Sequence, residues 1–416
     1  MPAIASVLFF VLYYIVDIIG NKLARDGSVD AMTGAFIASY VLIPFGAFFT
    51  YKAINDESIL ATDNIKNTWR KLKRKVMEIF KKTNIIFMGT PEFAVAPLKA
   101  LLDAHYNVVA VVTVPDKPSG RGQTINESAV KKFAVSAGIP VLQPTDLHDA
   151  QFIEQLKSFK PDLFAVVAFR LLPREVFTIP RLGTFNLHAA LLPQYRGAAP
   201  INWAVINGEK VTGVTSFIID DGVDTGTILI RDQYVIKKDD NASSVHDALM
   251  EMGARVVVQT VEGLIEGNID SRVQKSFIQG EEVLHKAPKL SKELCHIDWN
   301  DSATHIVNLI RGLTDYPGAF TEIMAPDGTV TQLKIFRAHK DPAVTESGHT
   351  CGTMLSDGKS YLCFTCNDGA VMIDELQLSG KKRMGVEDFL RGFHYSDALK
   401  ATDGTSREVI DKVRSF

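Results

Sequence analysis

Asn84-Ile85-Ile86-Phe87-Met88-Gly89 is a short apolar run that ends on a glycine. It is too brief for a core helix and reads as a buried strand. The chain then alternates. Leu98 to Leu102 reads as helix, and Asn107 to Val114 as a strand stopped by Pro115. Lys131 to Ala137 is helical, Pro140-Val141-Leu142 a strand, Gln151 to Phe159 a helix and Leu163 to Ala168 a strand. Strands separated by helices predict an α/β fold with a doubly wound, mostly parallel sheet. Gly89 stands where a nucleotide-binding loop could begin. No G-x-G-x-x-G follows it, which speaks against a dinucleotide site.

Two later runs, Leu182-Gly183-Thr184-Phe185 and Val214-Thr215-Ser216-Phe217-Ile218-Ile219, also read as buried strands. The first leads into Asn186-Leu187-His188, the second into Asp220-Asp221-Gly222-Val223-Asp224-Thr225-Gly226. The carboxyl ends of parallel strands are where α/β proteins keep their sites. In a strand, residues i and i+2 share a face, so Asn186 and His188 point the same way. With a carboxylate they supply an oxyanion donor, a proton carrier and an orienting anion. Between the halves lies Leu191-Leu192-Pro193-Gln194-Tyr195-Arg196-Gly197-Ala198-Ala199-Pro200, a loop that enters a helix at Ile201-Asn202-Trp203.

Taken together and in order, these segments resemble the folate-dependent formyltransferases, and within them the methionyl-tRNA formyltransferase family. The matching stretches are Ile86 to Ala94, Pro115 to Gly122, the N-x-H segment, Leu191 to Pro200 and Gly222 to Gly226. Lys289-Leu290-Ser291-Lys292-Glu293 with Ile297-Asp298-Trp299 matches the start of that family's second domain. The resemblance runs from about Asn84 to the C-terminus. It implies transfer of a formyl group from 10-formyltetrahydrofolate to the amino group of methionyl-initiator tRNA, in translation initiation. The catalytic residues it implies are Asn186, His188 and Asp224, with no metal. Ala190, Leu191, Leu192 and Pro193 are the residues expected at the folate. Arg121, on the Pro115–Gly122 loop, has the matching position for a residue that reaches the tRNA acceptor end. One departure is Ala190, where the family usually has Ser, which removes a hydroxyl from the folate site. Another amine acceptor, glycinamide ribonucleotide or an amino sugar, could use the same triad. A second domain disfavours glycinamide ribonucleotide, which needs only the first. A non-catalytic, membrane-tethered fragment is the remaining rival.

At 416 residues the chain exceeds one ordinary core. Hydrophobic content of 46% and charged content of 22% exclude a largely disordered chain. A net charge of −3 does not itself announce nucleic acid, so any RNA contact must come from local patches. The N-terminal part differs in kind. Ala3 to Ile19 is almost wholly apolar, interrupted only by Asp17, and Ala31 to Ile54 is a second long apolar run, each about long enough to cross a bilayer. They predict a two-helix transmembrane hairpin over residues 1–62, with a buried soluble hairpin as the alternative. The basic run Lys66 to Lys82, within a linker at 63–83, puts that flank on the cytoplasmic side. Gly20 to Gly27 between the two spans weakly resembles the end of the lipopolysaccharide-export permease family. Such a piece is either a genuine fusion or two adjacent reading frames joined.

The expected catalytic domain covers 84–268, with a clear helix from His246 to Ile265. An irregular linker follows at 269–288, and a C-terminal domain at 289–416. There a helix at Ser302 to Arg311 precedes short alternating runs with turn signals at Asp327-Gly328, Asp357-Gly358 and Asp368-Gly369. These predict a small β-barrel, which the resemblance makes OB-like and tRNA-holding. Lys381-Lys382-Arg383 forms a basic cluster able to meet phosphates or simply to cap a solvated turn. Cys363 and Cys366 have metal-like spacing but lie in a strand, where i and i+3 face opposite sides, so free thiols are expected. The whole is expected to act as a monomer with its catalytic body in the cytoplasm.

Overall fold

The computed structural model describes residues 83–414 apart from 120–123, 279, 282, 326, 342–349, 394, 397 and 398, and only scattered positions between 14 and 43. The chain divides after Glu78 into two units, and the second holds everything described from Thr83 onward. Most of the expected hairpin, and all of the basic linker before Thr83, lie outside the described residues. Among those described, no helix is long and apolar enough to cross a membrane.

The first half of the larger unit is built on one seven-stranded sheet. Its strands are β1 (Asn84–Gly89), β2 (Asn107–Val112), β3 (Val141–Leu142), β4 (Leu163–Val167), β5 (Thr184–His188), β6 (Val211–Ile218) and β7 (Ile228–Val235). They lie in the order β7-β6-β5-β4-β1-β2-β3. Pairing is parallel from β3 through β5 and antiparallel for β5–β6 and β6–β7. The mostly parallel, doubly wound sheet expected from the alternation is therefore present. β1 and β4 are covered on both faces, which is why they read as unbroken apolar runs: Ile85, Ile86, Phe87, Met88, Leu163 and Phe164 have no exposed surface.

The helices are α1 (Val95–Asp103), α2 (Ala129–Ser136), α3 (Ala150–Ser158), α4 (Pro200–Ile206) and α5 (Ala242–Glu266). On one face Phe152 and Leu156 of α3 meet Ile86, Met88 and Phe164 in one cluster; α1 packs against α5. The helix expected from His246 starts four residues earlier. Asn241 accepts from Ser244 N while the Ser244 side chain takes the Asn241 N–H, a reciprocal cap. Gly267, in the left-handed region, ends it.

Two elements depart from the expectation. β6 runs antiparallel, so its carboxyl end lies beside the start of β5: Ile219 N donates to Thr184 O (2.9 Å). Only the Asn-x-His half sits at the carboxyl end of a parallel strand. β7, Ile-Leu-Ile-Arg-Asp-Gln-Tyr-Val, was not anticipated. It is an edge strand, and its Arg231, Asp232 and Gln233 break the apolar signal because only part of an edge is buried.

In the C-terminal half α6 (Ala303–Leu313) precedes β8 (Ala319–Met324), β9 (Val330–Asp341), β10 (Met354–Ser356), β11 (Leu362–Cys366), β12 (Gly369–Leu378), β13 (Met384–Gly385) and β14 (Lys400–Ala401), and α7 (Ser406–Arg414) follows. The strands pair antiparallel in the order β10-β11-β12-β9-β8-β14, with β13 on β12. A bridge between Thr353 and Lys400, and the Ala401 N–H donated to Gly352 O, tie the last strand back to the first. The sheet is thus a nearly closed barrel, as the short strands and Asp-Gly turns predict. Its centre is Trp299, 1% exposed, stacked on Phe364 at 4.6 Å and donating Nε1–H to Thr321 Oγ1. The same apolar cluster takes in Ala190, Tyr195, Trp203 and Ile206 from the first half, so the two halves share a core.

Candidate active site

β5 sets the geometry. Asn186 lies opposite Phe217 and His188 opposite Thr215 on β6, so both side chains leave the same face at the carboxyl end of the strand. His188 is 6% exposed. Its Nε2 lies 2.8 Å from the Tyr195 carbonyl oxygen. A carbonyl only accepts, so Nε2 carries a hydrogen and Nδ1 faces the other way. There Asp224 Oδ2 stands 3.7 Å from Nδ1, an ion-pair distance rather than a hydrogen bond.

Asp224 gets there because its loop turns back along the sheet. Asp220 Oδ1 accepts from Gly222 N (3.1 Å) and from Thr225 Oγ1 (2.6 Å), which closes the turn. Asp224 itself has φ 54°, a conformation that Asp tolerates better than most residues. Its Oδ2 accepts the Gly197 N–H at 3.0 Å. Gln274 donates to the backbone oxygens of Asp224 (2.8 Å) and Gly226 (2.9 Å), and its own Oε1 accepts twice from Arg196. Arg196-Gly197 pairs with Lys286-Ala287 as a short parallel ladder. The segment expected as an irregular linker is thus stitched to the site on both sides.

Asn186, His188 and Asp224 open into a cleft of about 650 Å³. Its apolar wall includes Val166, Phe169, Leu171, Leu172, Ile219 and Val223, with Pro91 and Phe93 beyond the end of β1. The cleft therefore lies outside the carboxyl ends of β1, β4 and β5, where open α/β sheets place ligands. Asn186, His188 and Asp224 share the cleft's polar lining with Arg170, Asn202 and His246.

The other expected site residues fall less neatly. Ala190 and Leu192 have no exposed surface, and neither they nor Leu191 and Pro193 are among the residues lining the cleft. Apolar side chains at the end of β5 turned inward: Leu192 clusters with Phe217 and Ile228, and Ala190 joins the core shared with the barrel. The segment instead braces the site. Thr215 Oγ1 donates to Ala190 O (2.6 Å) and accepts from Leu192 N (3.1 Å), fixing the turn after His188. Arg121 lies outside the described residues. The basic cluster divides. Lys381 and Lys382 are exposed, but Arg383 is held by Glu375 (2.8 Å) and Asp315 and lies 4.2 Å over the Phe336 ring. Two carboxylates accompany its charge, whereas Lys381 and Lys382 keep theirs unshared among the described residues.

Sequence reasoning missed Gln274, Gly197 and Tyr195. The first sits in a stretch with no periodicity. The other two are in a matched motif but act through the backbone, where side-chain chemistry gives no signal.

Comparison with known proteins supplies the remaining evidence. Residues 81–261 match the model of the family described as formyl transferase, and residues 289–394 that of its C-terminal domain. A methionyl-tRNA formyltransferase of Parabacteroides distasonis is 51% identical over 310 residues, which is 74% of this chain and 95% of the relative. That of Caldanaerobacter subterraneus is 43% identical over 310 residues, 74% of this chain and 96% of the relative. Among solved structures, a sugar 3N-formyl transferase with dTDP and 5-N-formyl-THF superposes with a TM-score of 0.51 at 19% identity, covering 72% of this chain and 99% of that one. An N-formyltransferase of Helicobacter canadensis, in complex with folinic acid and dTDP-3-aminofucose, gives 0.51 at 19%, covering 73% and 100%. At that identity the likeness concerns the fold alone.

Proposed function

This chain belongs to the formyl transferase family, and from that membership we propose that it transfers a formyl group from 10-formyltetrahydrofolate to the amino group of methionyl-initiator tRNA. The observation that carries the reading is the convergence of Asn186, His188 and Asp224 on one cleft, in a chain that matches relatives of this activity over nearly their whole length.

Each residue has a distinct part. Asn186 donates an amide N–H to the oxygen that gains charge as the amine adds to the formyl carbon; one such donor is worth about 3 kcal/mol. His188, through Nδ1, the nitrogen that the Tyr195 carbonyl leaves free, takes the proton that the attacking amine gives up and returns it to the folate nitrogen as the bond from that nitrogen to the formyl carbon breaks. Asp224, 3.7 Å from Nδ1, stabilises the imidazolium once Nδ1 has taken a proton, while the Tyr195 carbonyl holds Nε2. The apolar walls at Phe169, Leu171 and Leu172 suit the flat ring system of a folate. No step requires a metal.

Residues 84–268 carry the chemistry in this reading and 289–416 help hold the tRNA. A body of 289–416 beyond the transferase core also disfavours glycinamide ribonucleotide as acceptor, and a complete triad disfavours an inactive fragment. Arg121 retains its assignment to the acceptor end, on its matching motif. Lys381 and Lys382, exposed on the barrel, offer positive charge to phosphates. Replacing both with alanine is expected to reduce the slope of log affinity for tRNA against log salt by between about one and two. Arg383→Ala is expected to leave that slope unchanged, because its charge is already matched. Filter binding across a salt series checks this; an unchanged slope in the double variant places the RNA elsewhere.

The N-terminal spans act as a membrane tether with the catalytic body on the cytoplasmic side, a reading supported by the two apolar runs and the basic flank. Since the family match begins at residue 81, a chain starting at Thr83 is expected to be soluble and to keep full turnover, whereas the full chain partitions with membranes. Fractionation with activity assays tests both halves. A shortened chain that fails to formylate shows that the first 82 residues belong to the enzyme, and a full chain that stays in the supernatant removes the tether.

A further inference from the structure

We propose that Tyr195 is a positioning residue that couples the docking of the C-terminal domain to the orientation of the His188 imidazole; the inference rests on the function proposed above for its catalytic meaning, not for its geometry. Tyr195 is 4% exposed and joins two systems. Through its backbone it faces the site: its carbonyl accepts His188 Nε2–H at 2.8 Å, while its own N–H donates to His285 O at 2.7 Å on the interdomain segment. Its φ of 59° is a left-handed conformation that a bulky residue adopts only where its surroundings enforce it.

Through its side chain Tyr195 faces the C-terminal domain. The ring lies in the core cluster with Leu294, Ile297 and Ile410 and stacks against His285 at 5.8 Å. The hydroxyl donates to Glu209 and accepts from Asn207 Nδ2 at 3.1 Å. Asn207 Oδ1 in turn accepts from Arg414 Nη2 at 3.2 Å and Nε at 3.4 Å, on the last described turn of α7. Burial above all, with Glu209 beside it, pushes the phenol pKa up, so the hydroxyl keeps its hydrogen and its donor role.

A continuous path therefore runs from Arg414 through Asn207 and the Tyr195 hydroxyl to the tyrosine's backbone, and on to His188. Each link is a hydrogen bond or a covalent bond. The path gives the C-terminal domain a second task besides meeting RNA. When α7 is seated, Tyr195 is anchored at its far end and its carbonyl is held where it fixes the imidazole tautomer. When α7 is displaced, the strained turn at Tyr195 loses one of its restraints. Glu209 anchors the same hydroxyl from the catalytic half, so the coupling is graded rather than all-or-none.

The test uses the full chain and two variants, Tyr195→Phe and Arg414→Met. Tyr195→Phe keeps the ring in the core and removes only the hydroxyl. In both, kcat is expected to fall about fivefold to tenfold, the size of one lost orienting hydrogen bond, with KM for folate and for tRNA unchanged. Nitrogen-15 spectra of the His188 ring give a readout that does not depend on turnover. The native chain is expected to show the Nε2–H tautomer, and the variants a mixture of tautomers. A native Nε2–H signal retained unmixed in both variants overturns the coupling, as does a loss confined to KM. If the tautomer mixes as expected but the native chain transfers no formyl group, the positioning stands and the assigned reaction falls.

Discussion

His188→Ala is expected to lower kcat by about a thousandfold while leaving the melting temperature within a few degrees of the native value. Proton transfer by a positioned side chain contributes roughly 10²–10⁴. His188 is also the point at which the site's groups meet: Asp224 on one ring nitrogen, the Tyr195 carbonyl on the other, and Asn186 two residues before it on the same face. Asn186→Ala removes the proposed oxyanion donor and should cost roughly 10²–10³ in kcat. Because the three act on one centre, the double variant should be little worse than the worse single. The fold should hold, since the ring is one buried side chain beside the cleft and Asp224 keeps its Gly197 N–H. Steady-state kinetics with thermal melts separate these effects. A His188→Ala protein within tenfold of native turnover removes the catalytic assignment, and one that is merely unfolded leaves the charge to be tested by His188→Gln.

Gly197→Ala is expected to cost about 2–4 kcal/mol of stability together with most of the activity. Gly197 has φ 129°, and a methyl group there would lie 2.4 Å from the Ala287 carbonyl oxygen, a backbone atom with little room to yield. The contact belongs to the short pair Arg196-Gly197 with Lys286-Ala287, and the Gly197 N–H is the donor that holds Asp224 Oδ2. One methyl thus pushes the interdomain segment away and loosens the carboxylate that stabilises the His188 imidazolium. Gly138→Ala is the control. It also has positive φ, 70°, but nothing lies within 4 Å of the added carbon. It should cost only the left-handed strain, about 1–2 kcal/mol, and no activity. Urea unfolding with parallel kinetics reads both. Equal losses at the two glycines mean that conformation alone matters and that the Ala287 contact carries no weight.

The fold was legible where burial leaves a strong signature in the sequence. β1, β2 and β4 are covered on both faces, so they appear as apolar runs, and the helices between them force parallel pairing. The barrel announced itself through Asp-Gly turns between short strands. What the sequence hides is pairing direction and edge status: β6 reads like its parallel neighbours, and β7 needs too little burial to show. The helix start at Asn241 was in principle readable from the Asn–Ser cap, but the apolar period begins only later. At the site, the Asn-x-His spacing gave the shared face directly. The reach of Asp224 could not be read, because it depends on a loop folding back from the far end of an antiparallel strand. Leu191 and Leu192 were expected at a ligand, yet apolar residues after a strand end are drawn to the core as readily as to a pocket, and Leu192 went inward. Arg383 looked like a free cation because its partners are Glu375, eight residues before it, and Asp315, 68 residues before it. The Tyr195 carbonyl gave no signal because every residue type possesses one, and the Gln274 side-chain amide acts from a stretch with no periodicity.

The most direct test of the central claim is the rate of formyl transfer from 10-formyltetrahydrofolate by the purified chain, measured side by side on charged initiator tRNA, uncharged initiator tRNA, glycinamide ribonucleotide and a nucleotide-linked amino sugar. Rapid formation of formylmethionyl-tRNA is expected on the charged tRNA alone, lowered about a thousandfold in His188→Ala. Transfer to either small amine at a comparable or greater rate, or no transfer to the charged tRNA by the native chain, would contradict it.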